Sequence, residues 1–150
     1  MLTLVNQTGS EAEYENYARA GTTTPFWFGS AHDGSQGNVN GTRPYGTNRP
    51  GAFLNRTTTV GSYTPNPFGL YDIDGNVGEW CWDYHLPNYY QKLRNQPAVD
   101  PFGPETGEKR ELRSNSSQYE PLFGRSGRRH GTPPGFTSGW NGFRVVRFLE

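Results

Sequence analysis

The segment GLYDIDGNVGEWCWD, residues 69–83, concentrates acidic side chains around a glycine-rich turn. Asp72, Asp74 and Glu79 are too close together in this turn to form the salt-bridged face of a helix, and residues 68–91 contain no lysine or arginine. Calcium ions take about six to eight oxygen atoms from carboxylates and backbone carbonyls, which such a turn can supply. The spacing is compatible with a calcium site, although three carboxylates alone are more typical of a solvated acidic turn.

One helix is predicted near the start of the chain, in the sequence SEAEYENYARA at residues 10–20. Ser10 can cap it, Glu13 completes a capping box three residues later, and Gly21 ends it. One narrow face of this helix can pack while its glutamates stay in solvent. The residues of that face are Tyr14, Tyr17 and Ala18.

Short strands and long stretches of coil are predicted for the rest of the chain. Alternation of side chains makes residues 141–149 the best strand, and residues 22–30 and 56–63 are short β-prone runs bounded by Gly and Pro. The residues between those two runs have turn chemistry without periodicity. With 150 residues, the chain is expected to form a single domain, residues 1–150.

The composition indicates an ordered, loop-rich protein whose core is rich in aromatic residues. Aromatic residues make up 15% of the chain, and Trp80, Trp82 and Phe143 are expected in the core, where they would hold the acidic turn against the last strand. The formal net charge is zero, which disfavours nucleic-acid and membrane partners. The lone cysteine, Cys81, is expected as a small buried hydrophobe. Without a signal-peptide pattern, we expect a soluble protein, cytoplasmic by default.

The sequence NPFGLYDIDGNVGEWCWD, residues 66–83, resembles the signature NxFGLYDMxGNVWEWxxD of the formylglycine-generating enzyme (sulfatase-modifying factor) family. Residues 11–21 resemble the family's EAEWEYAARAG helix, and residues 125–147 resemble its RSAxR…GFRxxR ending. The resemblance covers about 11 to 147 and implies the C-terminal portion of the family domain, truncated at the N-terminus.

This resemblance implies an α+β, C-type-lectin-like fold that is coil-rich, with few short strands and one clear helix, stabilised by bound Ca²⁺. In the first implied calcium site the ligands are the side chains of Asp72 and Glu79 and the backbone carbonyls of Gly75 and Val77. A second implied site includes Asn38 and Val39.

The resemblance also raises the question of catalysis. Formylglycine-generating members bind Cu(I) with a pair of cysteines in the C-terminal part, and residues 112–131 contain no cysteine. Related sulfoxide synthases draw iron-binding histidines from a separate helical domain, and His32, His85 and His130 have no metal-site spacing. We therefore expect neither copper nor iron and favour a non-catalytic protein. A formylglycine-generating or sulfoxide-synthase type oxidoreductase that needs residues or a domain absent here remains the alternative.

Two departures from the family pattern affect the same region. Residues 114–117 read SNSS where the family has GGSW, and Gly78 replaces the first tryptophan of the signature. Loss of two glycines restricts the backbone, and loss of two tryptophans changes packing. The local surface is expected to differ from that of typical relatives.

The sequence therefore favours a calcium-stabilised ligand-binding module whose loops at residues 113–140 contact a protein, peptide or small-molecule ligand. Arg125 and Arg129 are equally suited to bridging loops internally. A special form of this hypothesis resembles the variable proteins of diversity-generating retroelements, with variation at residues 114–141. The candidate ligand-binding residues are of the aromatic and cationic types favoured at contact surfaces: Tyr119, Phe123, Arg128, His130, Phe136 and Trp140.

Overall fold

A computed structural model describes residues 7–95 and 97–146. Regular elements are short and are separated by long coil segments. The first half of the chain contributes β1 (Gln7–Thr8) and α1 (Glu11–Arg19). The remaining elements are β2 (Gly78–Tyr84), α2 (Tyr89–Leu93), β3 (Arg110–Arg113), a 3₁₀ turn (Pro121–Gly124), β4 (His130–Thr132), β5 (Asn141–Phe143) and β6 (Val145–Val146).

The main sheet has four strands in the order β4–β3–β2–β5. Strand β2 is central: it runs antiparallel to β3 and parallel to β5. Strands β1 and β6 form a separate antiparallel pair, in which Gln7 lies opposite Val146 and Thr8 opposite Val145. The first and last described strands therefore meet beside the main sheet.

Strand β2 begins directly after the acidic turn and alternates between two faces. Its inward-facing residues are buried and include two acids: Glu79, Cys81 and Asp83. Because successive side chains of a strand point to opposite faces, the tryptophans lie on the outer face. Trp80 is partly buried, but Trp82 is 49% exposed and Phe143 is 69% exposed. The prediction that these aromatics lie in the core is wrong for Trp82 and Phe143, whereas Cys81 is buried as predicted.

Helix α1 forms where the sequence predicts it and has the expected capping box. The Glu13 backbone N–H donates to Ser10 Oγ at 3.2 Å, and the Ser10 backbone N–H donates to Glu13 Oε2 at 2.7 Å. The helix ends at Ala20, which has a left-handed backbone with φ of 46°. Glu11, by contrast, is only 1% exposed, so the expectation that every glutamate faces solvent is wrong. Its carboxylate is neutralised by arginines, as described below.

A small core lies between α1, the acidic turn and the inner face of β2. Four buried side chains form its centre, and the Tyr14 hydroxyl donates to the Ile73 carbonyl at 2.9 Å. This bond ties the helix to the acidic turn. The central residues are Tyr14, Ala18, Ile73 and Cys81, and Tyr17, Trp27 and Leu70 pack against them.

The structure differs from the sequence-based prediction at three predicted strands. Residues 56–63 contain no strand, and residues 22–30 contain only an isolated bridge between Phe26 and Gly29. The predicted strand at 141–149 is divided into β5 and β6 at Arg144, whose side chain turns to Glu79; residues 147–149 lie outside the described part of the chain. Across residues 7–95 and 97–146, the helices are too short and too polar to cross a lipid bilayer.

Candidate functional site

The acidic turn packs against the segment that contains Asn38. The Asn76 backbone N–H donates to the Asn38 carbonyl at 2.8 Å, and Asn38 Nδ2 donates to Asn76 Oδ1 at 3.2 Å. Gly75 has a φ of 96°, and a Cβ at this position would lie 2.6 Å from the Asn38 carbonyl oxygen. Only glycine allows both this backbone conformation and this approach. The two segments named for calcium binding, around Gly75 and around Asn38, are therefore in contact.

The two carboxylates of the first predicted calcium site have different partners. Asp72 Oδ2 accepts from the Gly61 backbone N–H at 2.7 Å, and Asp72 Oδ1 is buried without a hydrogen bond among the described residues. Both oxygens of Glu79 accept from Arg144, at 2.7 and 3.0 Å. Burial raises the pKa of Glu79, Arg144 opposes that rise, and the charge of Asp72 adds to it. The two acids thus lie close enough to influence each other.

Asp74, the middle acid of the turn, belongs to a different environment. Its carboxylate lies 3.2 Å from Nε2 of His32, and both side chains are almost completely buried. Burial raises the pKa of Asp74, and the nearby His32 imidazole opposes the rise. The Gly124 backbone packs directly against this carboxylate. Asp74 and His32 therefore link the acidic turn to the interior of the fold.

The residues present fit a hard cation in one specific respect. Asp72 Oδ1 and Asn38 Oδ1 are both buried oxygens with no hydrogen-bond partner in the described part of the chain. Each belongs to a residue that the family resemblance names as a metal ligand. A buried acceptor without a partner costs about 1–3 kcal/mol, and an oxygen-seeking ion would remove that cost.

The remaining ligands of such a cation would come mainly from the backbone. In residues 7–95 and 97–146, no three His, Cys, Asp or Glu side chains are arranged so that they could hold a metal ion by themselves. The backbone carbonyls of Gly75 and Val77 would have to complete the first site, and Val39 would contribute beside Asn38 to the second. Val77 lies within the turn, where its backbone N–H donates to the Gly75 carbonyl at 2.9 Å.

Three of the predicted ligand-binding residues form one continuous surface. Tyr119 and Phe123 meet edge to face with ring centroids 5.9 Å apart, and the Arg128 guanidinium lies 5.7 Å from the centre of the Phe123 ring. Tyr119 and Phe123 are both exposed, at 56% and 36%. We call these three residues the recognition surface. Exposed aromatics beside an arginine are typical of binding hot spots.

The other three predicted ligand-binding residues are not shown to join the recognition surface. His130 is exposed on β4, and Phe136 is 53% exposed in the following loop. Trp140 is partly buried, and its carbonyl accepts from the Gly78 backbone N–H at 2.8 Å. Its backbone therefore anchors the start of β2.

Sequence reasoning missed a buried ionic network beneath the main sheet. Arg113 donates to Glu11 at 2.8 Å, and Arg129 donates to Glu11 at 2.5 and 2.7 Å and to Glu111 at 2.9 Å. His85 Nδ1 lies 2.7 Å from Glu111. Arg129 thus bridges loops internally, which confirms one of the two interpretations offered for it. The signal in the sequence was the pair of arginines at 113 and 129, but their partner Glu11 lies 102 and 118 residues away.

Comparison with known proteins identifies the family. Residues 7–149 match the family model of the sulfatase-modifying factor enzyme 1-like domain. The chain belongs to this family. The formylglycine-generating enzyme of Streptomyces coelicolor is 41% identical over 93 residues, which represent 60% of this chain and 29% of that enzyme.

Solved structures confirm the expected C-type-lectin-like fold of the sulfatase-modifying factor family. PvdO from Pseudomonas aeruginosa has a TM-score of 0.77 and 35% identity, covering 96% of this chain and 53% of PvdO. Treponema denticola variable protein 1 has a TM-score of 0.74 and 27% identity, covering 93% of this chain and 46% of that protein. The chain spans less than a third of the curated relatives that it matches and about half of these two structures.

Proposed function

We propose that this domain is a non-catalytic, calcium-stabilised ligand-binding module of the sulfatase-modifying factor family. The observation that carries the proposal is the recognition surface, in which Phe123 contacts both Tyr119 and Arg128 and both aromatic rings are exposed. Loops held on a rigid scaffold are the usual location of binding residues. The ligand is a protein, a peptide or a small molecule.

Calcium stabilisation is supported by the unpartnered oxygens of the turn. Asp72 Oδ1, with the backbone carbonyls of Gly75 and Val77, would hold one ion, and Glu79 would be shared between that ion and Arg144. Asn38 Oδ1 and Val39 would contribute to a second ion. A bound ion supplies positive charge and fixes the direction of several carbonyls at once, which coil segments cannot do alone.

The chemistry of the cysteine supports a non-catalytic module. Copper-dependent formylglycine formation needs paired thiolates, and the 150 residues contain one cysteine, Cys81. Cys81 is 5% exposed, and burial raises the pKa of its thiol well above the ordinary value. A buried, protonated thiol is a poor metal ligand.

Similarity to the formylglycine-generating enzyme of Streptomyces coelicolor keeps an oxidoreductase as the second candidate. Oxygen consumption with a CxPxR-type peptide, measured with added copper and then with added iron, separates the two. We expect no consumption above that of buffer. Turnover by the purified chain would make the domain an enzyme.

Similarity to Treponema denticola variable protein 1 supports the narrower form of the proposal, a variable protein of a diversity-generating retroelement. Sequencing the same gene from several isolates tests it. Substitutions concentrated in residues 114–141 are expected. Substitutions spread evenly over the chain would be compatible with a ligand-binding module but would contradict its assignment as a retroelement variable protein.

The calcium component is tested by thermal unfolding with calcium and with excess EDTA. Because an ion that binds only the folded state stabilises it, EDTA is expected to lower the melting temperature. Asp72→Ala should abolish this difference, whereas Asp100→Ala, at an exposed loop position, should retain it. A wild-type melting curve that is identical in both buffers would count against calcium.

The binding component is tested by selection from a random peptide-display library. Enriched peptides are expected to bind the wild-type protein and to lose affinity for Phe123→Ser. Phe53→Ser is the matched control, because Phe53 is 39% exposed and lies outside the recognition surface. Equal loss in both variants, or no enrichment, would contradict the assignment of this surface.

A further inference from the structure

A basic cleft of about 450 Å³ lies beside the C-terminal end of α1. Its volume falls within the roughly 300–1,000 Å³ of small-molecule sites. None of the described residues that line it is acidic. The lining side chains that matter here are Arg19, Arg125, Arg128, Arg129, Tyr45 and Thr24. Arg128 belongs both to this cleft and to the recognition surface.

Two of the four arginines are already neutralised. Arg129 is paired with Glu11 and Glu111 on its inner side, as described above. Arg19 forms an ion pair with Glu15 at 2.9 Å, one helical turn earlier. These two guanidinium groups therefore have compensating charges within the protein.

The other two arginines have no carboxylate partner in residues 7–95 and 97–146. Arg125 donates through Nε to the Leu122 carbonyl at 3.0 Å, and Arg128 donates through Nη1 to the Arg129 carbonyl. The other N–H groups of the two guanidinium side chains make no hydrogen bond to the described residues. Two uncompensated positive charges line one concave wall, which is unfavourable unless an anion or solvent ions screen them.

Aromatic rings orient both uncompensated guanidinium groups. The Arg125 guanidinium lies 5.7 Å from the centre of the Tyr45 ring, and that of Arg128 lies 5.7 Å from the centre of the Phe123 ring. The pKa of the nearby His130 is lowered, first by burial and then by the charge of Arg128. That shift agrees with a positive local potential. Two guanidinium groups, each beside an aromatic ring, thus line the same cleft.

We propose that this cleft binds the tetrahedral oxyanion of a small ligand, such as a phosphate or sulfate monoester. Guanidinium groups present paired N–H donors that match the oxygens of such anions. Tyr45, which lines the cleft beside Arg125, offers an aromatic ring against which a planar group attached to the anion can pack. The inference rests on the proposed function and deepens it, because it gives the recognition surface a ligand class.

Isothermal titration calorimetry of the calcium-loaded chain with phenyl phosphate, phenyl sulfate and inorganic phosphate tests this proposal. We expect all three to bind more weakly as sodium chloride is raised, since salt screens exposed charges. The phenyl esters should bind more tightly than inorganic phosphate, and Tyr45→Ser should remove that advantage. Preference between phenyl phosphate and phenyl sulfate identifies the natural oxyanion.

Variants of the two uncompensated arginines show whether binding occurs in the cleft. Arg125→Gln and Arg128→Gln are each expected to lower affinity about tenfold or more, the usual effect of removing a charge-assisted hydrogen bond. Arg94→Gln is the matched control at an exposed position outside the cleft, with an expected change below about twofold. If Arg125→Gln lowers the melting temperature, Arg128→Gln decides alone, because among the described residues the Arg128 side chain donates only to the carbonyl of the adjacent residue, Arg129.

Two outcomes overturn the proposal. One is the absence of heat with all three anions at low salt; the other is binding that Arg128→Gln leaves unchanged, which would place the anion elsewhere. Failure of the proposed function is distinguishable, because calcium stabilisation and peptide selection are measured separately. If the protein selects peptides through Phe123 but binds no anion, the ligand-binding function is supported and only the oxyanion site is refuted.

Discussion

Asp83 is the buried acid whose replacement most directly tests the polar interior of this domain. The side chain is 2% exposed, and its Oδ2 accepts the backbone N–H of Glu11, the first residue of α1, at 2.6 Å. Burial raises the pKa of Asp83 from its ordinary value of 3.8 to about 6, and the charges of Glu11 and Glu111 add to the rise. Asp83→Asn keeps an oxygen acceptor for Glu11 and removes the titratable charge.

The size and sign of the effect follow from this raised pKa. Folding takes up a proton between pH 3.8 and about 6, so the stability contributed by Asp83 is complete below the lower value. It is lost as the pH rises through about 6. Since each unit of pKa is about 1.4 kcal/mol, wild type should lose about 2–2.5 kcal/mol relative to the variant between about pH 4 and 7.5.

Urea unfolding at a series of pH values measures this difference. We expect Asp83→Asn to gain stability relative to wild type as the pH rises, whatever its absolute stability at one pH. Asp100→Asn is the control, because Asp100 is an exposed loop residue, and its curve should run parallel to that of wild type. A constant difference between wild type and Asp83→Asn from pH 4 to 7.5 would refute the reasoning.

Two further substitutions test the packing around the site. Arg113→Met should lower the free energy of unfolding in urea by about 3–5 kcal/mol, because it removes a partner of the buried Glu11; a loss below about 1 kcal/mol would contradict this. Gly75→Ala should cost about 1–3 kcal/mol more than Gly69→Ala, since both have positive φ but only Gly75 lies against the Asn38 carbonyl. Equal melting temperatures for the two alanine variants would show that this contact carries no strain.

The helix could be predicted because its determinants are local. The Ser10–Glu13 capping box and the spacing of Tyr14 and Ala18 lie within nine consecutive residues, and each forms as expected. Family membership and the lectin-like fold could also be predicted, from the long signature at residues 66–83. Both signals lie within continuous stretches of sequence, so they can be recognised without knowledge of distant contacts.

Strand β2 could not be recognised because its inward-facing positions hold acids instead of aliphatic residues. Alternation predicts a strand when one face is apolar, but here Glu79 and Asp83 face inward and Trp82 faces solvent. The partners that stabilise these buried acids come from elsewhere in the chain. Arg144 neutralises Glu79, and Asp83 accepts the backbone N–H of Glu11 at the N-terminus of α1. For the candidate calcium sites, the sequence likewise indicated residues 72–79 together with Asn38 and Val39, but not Arg144, the counterion of Glu79.

The same arrangement explains how a chain with only 31% hydrophobic residues can be ordered. Removing a charge from water is costly unless it is paired, and Arg113 and Arg129 surround Glu11 so that its carboxylate meets two guanidinium groups. Arg129 extends the pairing to Glu111, which joins α1 to β3. Ions thus connect elements that in other domains are joined by aliphatic contacts. Because these bonds are directional, they hold the arginine-rich loop at residues 125–129 in one position, which leaves Arg125 and Arg128 available at its surface for a ligand.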